Sequence, residues 1–296
     1  MNTNTTTTII AMRRGAVGMT AEAIAGLARD LATAESACLY GRIGITTQRF
    51  GGVSAWLAIA LNVVTGNLDR RGGMMFTSPA VDLVGLTTAA GQGGSYARRH
   101  SRVRGLPEFG GELPVSTLAE EIETPGPGQV KALVTVAGNP VISTPNGERL
   151  ARAIDSLDYM VSLDMYVTAT SSRADLILPA CSPLERDHFG LAFHGLTVRD
   201  TVKYSPPVFE RPEGARDDWE ILCALSDRLS RRPGAPTVPP SLRLARRLGP
   251  RRLLDLLLRT GEHGRWRHPL SGHRLSLAAL RDRPDGSAAA SWFWQG

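Results

Sequence analysis

The stretch KALVTVAGNP, residues 131–140, decides the fold class of this chain. The part before its glycine is almost continuously apolar, which is typical of a parallel-sheet strand covered on both faces. Thr144 is a helix N-cap followed by proline, so a helix is predicted to about Ser156. Strands are then predicted over Tyr159–Leu163 and Leu176–Leu178, and an amphipathic helix over Asp218–Leu229 closes this piece. Strand, helix and strand with short links form a βαβ unit, so the predicted fold is α/β.

The segment before this unit carries a second α/β pattern. Thr20 is a helix N-cap, and the apolar spacing after it predicts a helix over Ala21–Ala34. Ala37–Ile45 is predicted to be a buried strand, and Gly51–Val64 is apolar on most faces, so a buried helix is expected there. The sequence therefore predicts two partial Rossmann-like parallel-sheet units of the three-layer α/β/α kind.

The chain is predicted to divide where its composition changes. Residues 85–128 are rich in glycine and proline and show little periodicity, which indicates an ordered surface excursion or a linker. The threonine-rich N-terminus is typical of a disordered lead-in. The predicted order is a lead-in (1–19), a first α/β unit (20–84), the connector (85–128), a second α/β unit (129–230) and a helical tail rich in arginine and leucine (231–296).

Composition excludes several classes of protein. Of 296 residues, 42% are hydrophobic and 21% are charged, which is ordinary for a globular chain. There is no apolar run of about 18 residues, so no membrane span is expected. The N-terminus has no apolar core of a secretory signal, which predicts a cytoplasmic protein. The three cysteines include no CxxC pair, so neither a disulfide framework nor an iron–sulfur cluster held within this chain is expected.

The net charge of +6 raises the question of nucleic acid. Only Lys131 and Lys203 are lysines, so nearly all of the 34 basic residues are arginines, and they are scattered without interleaved aromatic residues. An arginine-rich solvated surface is therefore favoured, and nucleic acid is not an expected partner. Arginine also suits anionic cofactors, because its planar fork binds phosphate groups in a bidentate way.

Candidate ligand-binding residues lie at the predicted strand ends, where open α/β sheets bind their ligands. Asp164 follows Gly138 by 26 residues, close to the glycine-to-acid spacing of dinucleotide sites, although GNPVIS replaces the GxGxxG fingerprint. This predicts a nucleotide-like ligand outside the common Rossmann kind, while a helix cap or a solvated turn explains such an aspartate equally well. Thr168 and Thr170 are predicted either to donate to phosphate and ribose oxygens or to cap the next turn. Cys181 is predicted to be a buried structural thiol.

A resemblance to a known family rests on the stretch TATSSRADLILPACSPLE, residues 168–185. It matches, position by position, the diagnostic pattern of prokaryotic molybdopterin oxidoreductases. Further pieces stand in the order and spacing of that family: GNP (138–140), DMY (164–166), DWEI (218–221), YGRIG (40–44), Gln48 and TGNLDRRGG (65–73). Over about residues 20–230 the chain therefore resembles the dimethyl sulfoxide reductase superfamily, and within it the formate-dehydrogenase-like large subunits.

The resemblance implies a cofactor and a set of residues that bind it. The cofactor is bis(molybdopterin guanine dinucleotide) carrying molybdenum or tungsten, and each of two Rossmann-like domains holds one guanosine end. The residues implied for one half are Gly138, Asn139, Pro140 and Asp164, with Thr168, Thr170 and Asp175 shaping the same pocket. Those implied for the other half are Gly41, Gly44 and Gln48, with Asn67, Asp69 and Gly73 nearby.

Two features of the family have no counterpart in this sequence. The family usually begins with an iron–sulfur domain and ends with a β-barrel-like domain, and the protein ligand of the metal lies upstream of the matching residues. The expectation is therefore a middle portion of a larger oxidoreductase, inactive alone, whose iron–sulfur cluster, other portions or electron-transfer subunits lie elsewhere. The alternative is a non-catalytic binding or assembly protein that keeps the cofactor fold.

Overall fold

A computed structural model describes residues 18–91, 93–197, 200–235, 237–264, 266 and 275–288. Most of the predicted lead-in and the last residues of the predicted tail lie outside the described residues. The chain forms two compact units, Met1–Thr77 and Ser78–Gly296. Each is described by itself.

The first unit contains the helices α1 (Ala21–Thr33), α2 (Ile43–Thr46) and α3 (Gly51–Val64). The predicted N-cap is confirmed, since the Thr20 hydroxyl accepts the backbone N–H of Ala23 at 3.2 Å. The strand predicted over residues 37–45 is wrong. The backbone of Leu39 is held instead by the side chain of Asn62, which accepts the Leu39 N–H at 3.0 Å and donates to its carbonyl oxygen at 2.8 Å. A side chain has taken the place of a neighbouring strand.

Helix α3 is exposed, although its apolar sequence predicted burial. Trp56 is 65% exposed and Val64 is 76% exposed. Within the described helix only Gly51, Ala58 and Asn62 are buried. A uniformly apolar sequence predicts that a helix will be buried, but it does not identify the surface that buries it.

The predicted connector consists of regular elements. These are the helix α4 (Leu83–Ala89), the antiparallel strands β1 (Tyr96–His100) and β2 (Pro107–Phe109), and the helix α5 (Leu118–Glu123). The buried carboxylate of Glu108 fixes the hairpin, because it accepts hydrogen bonds from the Ser95 hydroxyl at 2.6 Å and the Gly111 N–H at 2.5 Å. These bonds hold the pKa of Glu108 below its ordinary value.

A parallel sheet forms the centre of the second unit and confirms the α/β class. Its strands β3 (Ala132–Val136), β4 (Tyr159–Leu163) and β5 (Leu176–Leu178) lie in that order. The short helices α6 (Pro140–Ser143) and α7 (Gly147–Ile154) connect β3 to β4. The longer helix begins at Gly147 rather than at Thr144, because Asn146 adopts a left-handed conformation with φ of 56°.

The described residues cover the two faces of β3 unequally. Leu150 and Ile154 of α7 pack with Met160 of β4 in a small core. On the other face Val134 and Val136 are each 42% exposed. The expectation that β3 is covered on both faces is therefore wrong, since Val134 and Val136 of its apolar run remain partly exposed.

A second core includes Val202, Tyr204, Leu258, Leu277 and Leu280, which come from some of the remaining elements. The remaining elements are the strands β6 (His188–Phe189), β7 (Thr201–Val202), β8 (Tyr204–Ser205) and β9 (Ser287–Ala288) and the helices α8 (Asp218–Leu229), α9 (Pro240–Thr260) and α10 (Leu277–Arg281). The helix predicted at Asp218 is confirmed. Helix α9 is kinked at Gly249, where φ is 71°, just before Pro250. No helix in the described part of the chain is long and apolar enough to cross a membrane.

Candidate functional site

The carboxyl edge of the parallel sheet brings together the residues predicted at the strand ends. The ladder continues one residue beyond β3, since the Ala137 N–H donates to the Leu163 carbonyl oxygen at 2.8 Å. Ala137 has a φ of 48°, which turns the chain out of the sheet before Gly138. Pro140 is the first residue of α6, where its missing N–H is not needed. Asn139 and Asp164 therefore lie at the same edge of the sheet.

The side chain of Asn139 is held in one orientation by Thr170. The hydroxyl of Thr170, which is fully buried, donates to Oδ1 of Asn139 at 2.7 Å and accepts the Val141 N–H at 3.1 Å. The one proton of this hydroxyl is thus used on the carboxamide oxygen of Asn139. The Nδ2 group of Asn139 makes no hydrogen bond within the described residues and is left to donate to a ligand.

Asp164 has one carboxylate oxygen in use and one to spare. Its Oδ1 accepts the backbone N–H of Tyr166 at 3.0 Å, which is the turn-forming role considered from the sequence. Its Oδ2 has no hydrogen-bond partner among the described residues. Gly138 leaves the neighbouring space open, because a Cβ added there would meet no atom closer than 3.6 Å. One edge thus presents an amide donor and a carboxylate acceptor.

Thr168 uses its hydroxyl within its own turn. Its N–H donates to the buried Ser171 hydroxyl at 2.7 Å, and its Oγ1 accepts the Ser171 N–H at 3.1 Å. This is the capping role that the sequence left open as the alternative. Direct contact of Thr168 or Thr170 with a ligand stays a prediction, and the geometry gives both side chains a supporting position.

Asp175 lies at the other edge of the sheet. Its Oδ2 accepts the Met160 N–H at 2.7 Å, and its own N–H donates to the Met160 carbonyl oxygen at 3.0 Å. Met160 is near the start of β4, so the structure does not bring Asp175 together with Asn139 and Asp164. What it does there is join the beginnings of β4 and β5.

In the first unit, Asn67 and Gly73 build a compact turn. Asn67 is 2% exposed, and its Nδ2 donates to the Thr65 hydroxyl at 2.9 Å. Gly73 lies against this residue so closely that a Cβ would stand 2.1 Å from the Asn67 carbonyl oxygen. Asp69, at the exposed tip, has a φ of 53°. The buried members of this set therefore have structural partners already.

Gly41, Gly44 and Gln48 lie around the short helix α2. The Gln48 side chain donates to the Gly44 carbonyl oxygen at 3.2 Å and is exposed. Gly44 borders open space, whereas a Cβ at Gly41 would collide with Ile45. Sequence reasoning missed Asn62, whose signal was a single amide in an otherwise apolar helix.

Cys181 is buried, and burial raises the pKa of its thiol, which confirms the predicted structural role. Among the described residues no three histidine, cysteine, aspartate or glutamate side chains are grouped so that they could hold a metal ion. At the sheet edge, Asn139 and Asp164 can form hydrogen bonds to a polar organic group.

Comparison with known proteins gives the class. The chain belongs to the molybdopterin oxidoreductase family, whose model matches residues 15–228. It is 33% identical over 123 residues to the assimilatory nitrate reductase catalytic subunit of Bacillus subtilis, covering 40% of this chain and 16% of that protein. These findings confirm the resemblance seen in the sequence.

Two further relatives match longer stretches. The alpha subunit of formate dehydrogenase 2 from Methanococcus maripaludis is 27% identical over 220 residues, which are 72% of this chain and 32% of that subunit. Trimethylamine-N-oxide reductase of Haemophilus influenzae is 26% identical over 230 residues, which are 71% of this chain and 27% of that protein. The chain thus spans about a third or less of the length of these three relatives.

Proposed function

We propose that this chain is the guanosine-binding portion of a molybdenum or tungsten oxidoreductase that uses bis(molybdopterin guanine dinucleotide). The observation that carries the proposal is the pairing of the Asn139 donor with the Asp164 acceptor at one sheet edge. A nucleoside offers both kinds of partner, since its hydroxyl and ring N–H groups donate and its carbonyl and ribose oxygens accept. The donor set at the edge therefore fits the group that the family implies.

Each residue at this edge has a distinct part in the proposal. Asp164 accepts hydrogen bonds from ribose hydroxyl or base N–H groups through its spare oxygen. Asn139 donates from Nδ2, and Thr170 keeps that group facing outward. Gly138 leaves room for the nucleoside to approach the backbone. Gly41, Gly44 and Gln48 are proposed to contact the other half of the cofactor.

When bound, the metal cofactor supplies the redox chemistry, and the chain supplies binding and orientation. The matched relatives are named as a nitrate reductase, a formate dehydrogenase and a trimethylamine-N-oxide reductase, which supports electron transfer as the reaction class. We expect the chain to act in the cytoplasm with further portions of the enzyme or with electron-transfer subunits.

The test is calorimetric binding of GMP to the full chain. Asp164→Asn keeps the shape but loses an acceptor charge, so it should weaken binding by roughly 1–3 kcal/mol, about 5- to 150-fold in Kd. The matched control is Asp158→Asn, because Asp158 is exposed and pairs with Lys131 at 3.7 Å near the beginning of β4. Equal affinity of the two variants would remove Asp164 from the site.

The variant Thr170→Val tests independently whether the Thr170 hydroxyl orients Asn139 for a ligand. Loss of the hydroxyl frees the Asn139 carboxamide to rotate, so GMP binding should weaken about tenfold while Thr170→Ser restores it. If the valine variant binds as the unaltered chain does, Asn139 is not held for a ligand.

A non-catalytic binding or assembly protein is the second candidate. The observation that favours it is that Asn67, buried in the first unit, already has internal partners. Metal analysis of the chain purified with its natural partners distinguishes the two. Stoichiometric molybdenum or tungsten supports the oxidoreductase, and GMP binding without metal supports the assembly protein.

A further inference from the structure

A large cavity lies in the second unit, away from the carboxyl edge of the sheet. It has a volume of about 1040 Å³ and is bordered by residues 206–211, the start of α8 and the kink of α9. We call it the arginine cavity, because seven arginines and five carboxylates line it among the described residues: Arg186, Arg211, Arg246, Arg247, Arg251, Arg252 and Arg281, with Glu185, Asp187, Glu210, Asp217 and Glu220.

A smaller apolar cavity adjoins it. This one has a volume of about 370 Å³, and its apolar lining residues are Phe189, Leu191, Leu253, Leu254 and Leu257. It shares the charged residues Arg186, Asp187, Asp217 and Arg251 with the larger cavity. Trp219 lines both cavities and is 36% exposed. An indole at such a junction offers a flat face to an aromatic group. The two spaces together therefore suit a ligand that is partly apolar and partly charged.

Three arginines of the larger cavity have no carboxylate partner in the described part of the chain. Four others do: Arg186 with Asp218, Arg211 with Asp217, Arg246 with Asp227 and Arg251 with Asp187. Arg247, Arg252 and Arg281 remain, and the last lies over the Tyr204 ring at 5.5 Å. Of the two lining carboxylates without an arginine, Glu185 accepts the Ser182 N–H at 2.8 Å and Glu210 is exposed. Arg247, Arg252 and Arg281 are exposed as well, so three arginines without a carboxylate stand against two carboxylates without an arginine among the described lining residues.

Arg246 adds a buried donor. Its Nη2 donates to the Ser226 hydroxyl at 2.5 Å, but its Nε has no hydrogen-bond partner although it is inaccessible to solvent. A buried guanidinium N–H left unpaired is unfavourable, so such a group calls for an acceptor. This Nε is closed to solvent, so the guanidinium groups open to a ligand are those of the exposed Arg247 and Arg252. Guanidinium groups bind phosphate and carboxylate oxygens in a bidentate way.

The kink of α9 places these arginines on the cavity wall. Gly249 has a left-handed φ of 71°, and a Cβ there would lie 3.6 Å from the Trp219 ring. Pro250 follows, so Arg247 and Arg252 lie on either side of the break. Both arginines, with Arg246 and Arg281, come after residue 228, where the family match ends. The side of the cavity that α9 and Arg281 form therefore lies outside the residues that match the family, whereas the opposite side lies within them.

We propose that the arginine cavity binds an aromatic organic phosphate of the mononucleotide class. The phosphates lie against Arg247 and Arg252, and the aromatic ring lies on Trp219, which also lines the smaller cavity. This site is separate from the sheet edge of Asn139 and Asp164. It does not depend on the cofactor proposal.

The probe is ADP, measured by calorimetry on the full chain, with pyrophosphate and adenosine as the two half-ligands. ADP should bind at least tenfold more tightly than either half alone, because both cavities contribute. The double variant Arg247→Gln/Arg252→Gln should weaken ADP binding at least tenfold. Arg243→Gln is the matched control, since Arg243 is an exposed arginine of the same helix that does not line the cavity. It should change the affinity less than twofold.

Trp219→Leu and Asp164→Asn complete the design. The first should weaken ADP but leave pyrophosphate unchanged, and the second should leave ADP binding as it was. Circular dichroism melts establish that every variant is folded. Absence of ADP binding at millimolar concentration, an equal loss in Arg243→Gln, or abolition of binding by Asp164→Asn would each overturn the proposal. The last result would assign ADP to the sheet edge and leave the cofactor proposal standing.

Discussion

Helices α3 and α7 have opposite relationships to water. Helix α7 has charged residues on one side and four buried residues, Leu150, Ala151, Ala153 and Ile154, on the other. Helix α3 contains no charged residue and is exposed along most of its length. The amphipathic helix finds its apolar partners on the sheet beside it. The apolar helix buries only Gly51, Ala58 and Asn62, and the amide of Asn62 joins it to the backbone of Leu39.

The difference between α3 and α7 shows that the chain buries the apolar surface of one helix but not of the other. An apolar side chain stabilises the fold only by the area it removes from water, about 25 cal/mol per Å². Leu150 and Ile154 remove nearly all of theirs, whereas Trp56 and Leu57 leave 65% and 46% exposed. Helix α3 therefore still has apolar surface that another surface could bury. We expect it to pack against a surface beyond the described residues of its unit.

The largest effect should come from shortening a buried side chain of α7. Ile154→Ala creates a cavity beside Met160 and should cost about 2–5 kcal/mol of unfolding free energy. The same kind of truncation on α3, Leu57→Ala, should cost less than about 0.5 kcal/mol. Hydrogen exchange resolved by peptide measures each unit separately. Comparable losses in both helices would break the comparison.

The next effect concerns the polar attachment of α3. Asn62→Leu keeps the volume but leaves the N–H and carbonyl of Leu39 without their partners. The expected loss is about 1–3 kcal/mol, seen as faster exchange of the Leu39 amide. Leu61→Ala serves as the control, since Leu61 is 41% exposed and its loss should leave that amide protected. If the backbone N–H of Leu39 exchanges at the same rate in both variants, the side chain of Asn62 does not attach α3 to this segment.

A smaller effect should distinguish the two faces of β3. On the covered face the Thr135 hydroxyl donates to the buried Ser162 hydroxyl at 2.9 Å. Thr135→Val should cost about 1 kcal/mol in urea unfolding, and adding Ser162→Ala should recover part of it by removing the unpaired group. On the exposed face Val134→Thr should stay within about 0.5 kcal/mol. A larger loss at Val134 would show that this face is covered in solution.

The smallest change in stability should come from Trp56→Gln. We expect a shift within about 0.5 kcal/mol, because the indole buries little surface. Its effect on association should be clear, with less self-association in sedimentation and less binding of an apolar dye. If Trp56→Gln leaves self-association unchanged, the surface through which the chains associate does not include Trp56.

The spacing of apolar residues predicted correctly those helices and strands whose burial follows that spacing. Strands β4 and β5 and helix α8 have the predicted bounds, because their apolar spacing matches the burial that the fold gives them. The strand expected over residues 37–45 failed because a side chain 23 residues away satisfies the Leu39 backbone. No local pattern reports such a partner. The burial expected for α3 failed for a related reason, since apolarity does not specify a neighbour.

The candidate site was predictable to the extent that strand ends are. Asn139 and Asp164 follow their strands, so a parallel sheet places them at one edge. Asp175 precedes β5, and the same rule places it at the opposite edge, which motif spacing alone concealed. The lock between Thr170 and Asn139 needed the structure, because it joins residues 31 positions apart.

Strand β3 is an outer strand of the three-stranded sheet, and no strand in the described ranges pairs with its free side. An open edge is a template on which another chain can form hydrogen bonds. Pairing of two such edges is a bimolecular event, so its rate rises with the square of concentration, whereas folding of one chain is first order. Dilution should therefore favour recovery of the native chain after denaturation, and the concentration at which yield falls should reflect how readily β3 meets a second edge.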